Sequence, residues 1–163
     1  MADPKPSAVL FDTLPCMSID VVVLSETLVA GLAVRTKNDN EKDPTSGWLM
    51  KTWERIGKKQ YTDSIAAVLS DYESDSNGYY TEVIGHEIAT PDDLKPGEVL
   101  AKVPSDTYAK FTVTGEMPGI VLEAWQKVWQ AEADGSIQRS YATDLERYPS
   151  PGTVELFVSV ANN

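Results

Sequence analysis

The sequence predicts an α+β fold of tandem strand-strand-helix-strand-strand repeats with pseudo-twofold symmetry. It has an antiparallel sheet, a helix from each half and a ligand cleft between the halves. Three observations carry this. The order of element signals occurs twice along the chain. The two runs also match in residues: Leu28-Val29-Ala30-Gly31-Leu32-Ala33-Val34 parallels Thr107-Tyr108-Ala109-Lys110-Phe111-Thr112-Val113, and Lys51-Thr52-Trp53-Glu54-Arg55-Ile56 parallels Glu123-Ala124-Trp125-Gln126-Lys127-Val128. Asp71-Tyr72-Glu73 is read as the counterpart of Asp144-Leu145-Glu146, so the halves should superpose with Trp53 on Trp125 and Glu73 on Glu146. Finally, half repeats at about 17–90 and 97–161 are each too short to bury a sufficient core alone, so they must pack together. A cleft on their shared axis is a natural ligand site.

Taken in order, residues 1–15 read as a flexible N-terminal arm, because Pro4, Pro6 and Pro15 discourage regular structure. Val9-Leu10-Phe11 is its one apolar patch. Residues 16–163 form a single domain. Met17–Leu24 and Leu28–Thr36 are rich in β-branched residues and read as strands. Asn38–Pro44 is a polar loop. A helix follows over Thr45–Lys59, capped by Thr45 or Ser46, with Trp48, Leu49, Trp53 and Ile56 at helical spacing. Ile65–Tyr72 and Tyr79–Ile88 are strands joined by a turn with Asn77-Gly78. After a connector at Pro91–Pro96 the pattern restarts with strands at Glu98–Val103 and Thr107–Val113. Pro118 opens a helix running to Ala133, with Ile120, Val121, Ala124, Trp125, Val128 and Trp129 apolar at three- and four-residue spacing, and Gly135 ends it.

The last element is a hairpin. Pro149-Ser150-Pro151-Gly152 separates a run ending at Tyr148 from Thr153–Val160. Val154, Leu156, Val158 and Val160 alternate onto one face of the closing strand. In the preceding strand, alternation puts Asp144, Glu146 and Tyr148 together on one face. A carboxylate beside aromatic rings suits a cation.

The chain of 163 residues carries 25 acidic and 14 basic side chains, for a formal charge of −11 and a pI near 4.4. Direct nucleic-acid binding is disfavoured, since phosphate contacts need clustered cations; cationic ligands are favoured by long-range attraction. A single Cys16 excludes an internal disulfide and suits a reducing, cytoplasmic setting. One His and one Cys cannot build a dedicated metal centre, and no apolar run is long enough for a transmembrane helix. The polar Met1–Ser7 stretch is not a secretory signal. No cofactor is expected.

Several of these motifs together resemble a known family. Val103-Pro104-Ser105-Asp106-Thr107-Tyr108-Ala109-Lys110-Phe111, the pair Trp125 and Trp129, Asp144-Leu145-Glu146-Arg147-Tyr148 and Phe157-Val158-Ser159-Val160 resemble the GyrI-like effector-binding domains of bacterial multidrug-responsive regulators. Those domains occur free-standing and fused to AraC-type and MerR-type DNA-binding domains. Leu145 replaces the usual aromatic. The resemblance covers about residues 17–161 and is strongest from 98 onward. It implies a cleft that holds lipophilic, often cationic, aromatic compounds, with Glu146 supplying negative charge and Tyr108, Trp125 and Tyr148 beside it. Trp53 and Tyr72, with Trp48 and Tyr80, are further candidates from the first half. No helix-turn-helix is read in the chain. Three activities fit. One is a free-standing small-molecule binder, which is the reading adopted. The second is a hydrolase of strained electrophilic rings with Glu146 as general base, and the third is an interaction module with a protein partner, of the gyrase-inhibitor type. No nucleophile–His pair or phosphate-cradling loop points to other catalysis.

Overall fold

The computed structural model describes residues 19–43, 47–59, 61 and 64–161. The arm at 1–15, the start of the first predicted strand and the Thr45 and Ser46 caps lie outside the described residues. The predicted strands form as β1 (Asp20–Leu24), β2 (Thr27–Thr36), β3 (Ile65–Ser70), β4 (Tyr80–Ile88), β5 (Val99–Val103), β6 (Asp106–Thr114), β7 (Asp144–Ser150) and β8 (Thr153–Ser159). The two long helices are α1 (Trp48–Lys58) and α2 (Gly119–Ala133). α1 is capped by a residue distant in sequence. Glu41, at the end of a 3-10 turn, accepts the amides of Trp48 at 3.2 Å and Leu49 at 3.1 Å, placing a carboxylate at the positive end of the helix.

All eight strands join one antiparallel sheet in the order β1-β6-β8-β7-β3-β4-β2-β5. That order is symmetric about the β7–β3 junction. The halves also exchange their first strands: β1 pairs with β6, and β5 with β2. Asp20 lies opposite Lys110, and Val99 opposite Gly31. Asp20 therefore corresponds to Val99, and Gly31 to Lys110, which is the strand alignment the sequence predicts. Carried to the centre, the same correspondence sets Ala67 on Glu146. These two residues face each other across β3 and β7, so the pseudo-twofold axis passes between them.

The predicted match of Glu73 with Glu146 fails for that reason. β3 stops at Ser70, and Asp71 takes a φ of 53° that turns the chain out of the sheet. Glu73 sits exposed in the following turn, where it accepts the amide of Tyr79. The helices do keep the predicted frame. Thr52 and Ile56 are the buried residues of α1, and Ala124 and Val128 are buried at the aligned positions of α2.

Both helices cover the same sheet face. Ile120, Ala124, Trp125, Val128 and Ala131 of α2 pack on Ala109, Phe111, Val113, Val154, Leu156 and Val158. Ile56 of α1, with Leu49 and Trp53, packs on Leu32, Ala67 and Ile84. The opposite face gathers Val29, Val68, Val103, Tyr108, Leu145 and Phe157. Period-two alternation in the strands thus sorts the chain into a helix-covered interior and a second apolar layer.

Candidate functional site

Glu146 lies at mid-strand in β7, beside the pseudo-twofold axis. Alternation turns Asp144, Glu146 and Tyr148 toward the helices and Leu145 and Arg147 away from them. Leu145 accordingly packs with Tyr108 and Phe157, and Arg147 bridges to Glu87 at 2.6 Å. Glu146 is only 3% exposed. Its Oε1 accepts the indole N–H of Trp125 at 2.8 Å, and its Oε2 accepts the Tyr148 hydroxyl at 2.7 Å. The ring of Trp53 meets Tyr148 edge-on at 5.2 Å. The fold therefore brings together Glu146, Trp125, Tyr148 and Trp53 from one strand and both helices.

A second carboxyl group stands beside Glu146. Glu82 of β4 is 2% exposed and pairs with Leu69 of β3, which in turn pairs with Asp144. Glu146 pairs with Ala67, two residues along β3 from Leu69, so the two acids lie on one sheet face on strands either side of β3. Burial is the main force on both and pushes both pKa values up. Glu82 is pushed well above the carboxylate range, with Glu146 and Glu41 adding repulsion. At Glu146, Asp144 also raises the value, but the donors Tyr148, Trp125 and Glu82 favour the charged form. Of the two, Glu82 is driven the more strongly toward its neutral form, because Glu146 keeps donors that favour its charge. Neither forms an ion pair with a Lys or Arg among the described residues. Glu82 is not among the site residues expected from the sequence. The available signal was the strand Tyr80-Thr81-Glu82-Val83-Ile84, where alternation sets an acid on the inward face between Tyr80 and Ile84.

Asp144 has a different role. It is fully buried and accepts Arg139 Nη2 at 2.8 Å, the Tyr72 hydroxyl at 2.6 Å and the Ser159 amide at 2.8 Å. The Arg139 guanidinium lies 4.2 Å from the centroid of Tyr141 and 5.6 Å from those of Tyr72 and Trp125. An internal cation therefore occupies the aromatic niche beside Glu146, and Asp144 balances it. Tyr72, a predicted lining residue, anchors this pair.

Tyr108 is set apart from these groups. It belongs to the opposite face of β6, buried against Leu145 and Phe157, and its hydroxyl donates to the Pro104 carbonyl at 2.6 Å. Burial, with Asp106 and Asp144, pushes its pKa up to about 12. Its parity in the strand is opposite to that of Ala109, Phe111 and Val113, which point to the helices. Trp48 is 57% exposed, with Lys51 over its ring at 4.9 Å. Tyr80 is buried, its ring 5.8 Å from that of Tyr72.

A pocket of about 250 Å³ is lined by Trp53, Ile56, Gly57, Tyr61 and Ile65. At its rim Tyr61 stacks on His86 at 4.1 Å and donates to Glu98 at 2.5 Å. Among the described residues no group of His, Cys, Asp and Glu could hold a metal ion, and no helix is long and apolar enough to cross a membrane.

The chain matches known proteins over nearly all of this fold. It is 30% identical over 148 residues to YobU of Bacillus subtilis (strain 168), a protein named as a transcriptional regulator, covering 80% of this chain and 90% of that one. An integron cassette protein from the mobile metagenome of Vibrio cholerae superposes with a TM-score of 0.77 at 30% identity, covering 88% of this chain and 95% of that one. The structure of SAV2435 bound to tetraphenylphosphonium superposes with a TM-score of 0.68 at 13% identity, covering 90% and 95%. Residues 20–160 match the family described as Cass2, integron-associated effector binding protein. With its two-helix, eight-stranded architecture and this match across almost every element, the chain belongs to the integron-associated effector-binding protein family.

Proposed function

We propose that the protein binds lipophilic, cationic aromatic compounds between the sheet and its two helices, with Glu146 as the counter-charge. One observation carries this: the nearly fully buried carboxyl group of Glu146, held by Trp125 and Tyr148, forms no ion pair with a Lys or Arg among the described residues. Removing a charge from water is costly unless it is paired. A bound cation would supply the missing partner, and the rings of Trp125, Tyr148 and Trp53 would each add about 0.5–2 kcal/mol. A structure of the same fold holds tetraphenylphosphonium, which agrees with this reading. The formal charge of −11 favours cations over nucleic acid, and the lone Cys16 fits a cytoplasmic setting.

Entry requires movement. The pocket beside Trp53 is smaller than the roughly 300–1,000 Å³ usual for drug-sized ligands, and Trp53, which lines it, also packs edge-on against Tyr148. A ligand would displace Trp53, and α1 with it, to reach Glu146.

The test compares tetraphenylphosphonium with triphenylphosphine oxide, a neutral compound of similar aromatic character. Glu146→Gln keeps the shape and removes the charge. It should weaken the cation by about 1.5–3 kcal/mol, the scale of a hydrogen bond or contact to a charged group, and leave the neutral compound nearly unchanged in isothermal titration. Equal losses for the two, or no loss for the cation, would remove Glu146 from the role.

A further inference from the structure

The interior holds two buried acids on one sheet face, Glu82 and Glu146, whereas a monocation neutralises one. We propose that Glu82 is a reserve charge of the site: it stays protonated beside Glu146 when the ligand carries one positive charge and releases its proton when the ligand carries two, so the protein also takes dicationic aromatic compounds. This rests on the reading of Glu146 as the counter-charge.

The geometry singles out Glu82. Glu82 and Glu146 come from strands on either side of β3 and share one face, opposite Leu69 and Ala67 of β3, and both are nearly fully buried. Every other ionisable group facing them is already committed. Asp144 is matched by Arg139 at 2.8 Å. Glu41 accepts the Thr36 hydroxyl at 2.6 Å and the first amides of α1. The hydroxyls of Tyr72, Tyr80 and Tyr148 are held neutral, chiefly by burial. Among the described residues that face the site, Glu82 is thus the group free to change charge. The balance is simple. A monocation meets one carboxylate, and the shared proton stays. A dication meets two, the Glu82 O–H bond breaks, and the proton passes to solvent. Two carboxylates side by side repel strongly unless a second positive charge is present, so a monocation gives no reason for Glu82 to ionise.

The probes are 1-methyl-4-phenylpyridinium and methyl viologen, which share a two-ring shape and differ by one charge. Titration calorimetry in phosphate and in Tris, whose ionisation enthalpies differ, counts the protons released. Methyl viologen should release close to one proton more per ligand than the monocation. Glu82→Gln keeps the shape and a donor toward Glu146. It should leave the monocation's Kd within about threefold, weaken methyl viologen by about tenfold or more, and abolish the extra proton. Equal proton release by the two wild-type complexes would overturn the proposal, as would equal weakening of both ligands in Glu82→Gln. If neither probe binds, or if Glu146→Gln leaves the monocation's affinity unchanged, the counter-charge reading itself fails, and this proposal with it.

Discussion

Asp144 and Glu146 are two residues apart on one strand face, yet only Asp144 has a cation. Asp144 closes a buried pair with Arg139, whose side chains are 0% and 2% exposed, and three further donors complete it. Removing one member of a buried pair leaves the other uncompensated, at a cost of about 3–5 kcal/mol. Asp144→Ala should therefore lower the unfolding free energy in urea by that amount. Glu82 should behave in the opposite way. Its folded-state pKa is raised by burial, so between the ordinary carboxylate range and that raised value the native state binds more protons than the unfolded state. Stability then falls as pH rises through this window. Glu82→Gln cannot ionise, so its melting temperature should exceed the wild type's at pH 8 and approach it near pH 4; equal melting curves at both pH values would show that Glu82 does not carry the proton. The sequence pointed to Glu146, Trp125, Tyr148 and Trp53 through motif position and helical spacing. Motif membership groups Tyr108 with Glu146, but strand parity sends it to the opposite face, and the place of Glu82 depends on β4 lying two strands from β7, a pairing between residues far apart in sequence.

The two helices share a place in the repeat but differ in how firmly they are held. α2 buries Ile120, Ala124, Trp125, Val128 and Ala131, whereas α1 buries Thr52 and Ile56. Packing of an amphipathic face, more than propensity, holds a helix in place, and Gly57 in the last turn of α1 weakens it further. Amide hydrogen exchange in α1 should run at least about tenfold faster than in α2. A bound cation should slow α1 more than any other element, because Trp53 must close over it. Uniform protection across the sheet, with α1 unchanged, would argue against entry past Trp53. Both helices were legible from apolar spacing, which is local information. The cap of α1 was not, since Glu41 reaches Trp48 and Leu49 across a loop.

At the scale of the molecule, each half completes the other. β1 covers the edge of β6, β5 covers the edge of β2, and β3 and β7 join the two at the centre. A fragment ending at residue 90 would leave β2 and β3 each with an open edge, a state prone to misassociation. It should be unfolded by circular dichroism alone, and mixing it with a fragment of residues 91–163 should restore the β-sheet signal. A fragment that folded by itself would show that the exchanged strands are dispensable. The repeat was legible in matching residues, but the exchange was not. Each half reads as a complete strand-strand-helix-strand-strand unit when only its order of elements is considered, and nothing local says which half's sheet its first strand joins.

The residues that face each other across the central axis are Ala67 and Glu146. Two identical half-chains assembled about that axis would have to carry the same residue on both sides. A glutamate there would oppose its own copy at a Cβ separation of about 4.5–5.5 Å, and an alanine would leave the centre without charge. One acid at the centre is open only to a chain in which the two halves are covalently joined and free to differ. Joining the repeats in one polypeptide is therefore what allows a symmetric scaffold to hold a single, off-axis negative charge and to present any ligand with one orientation rather than two.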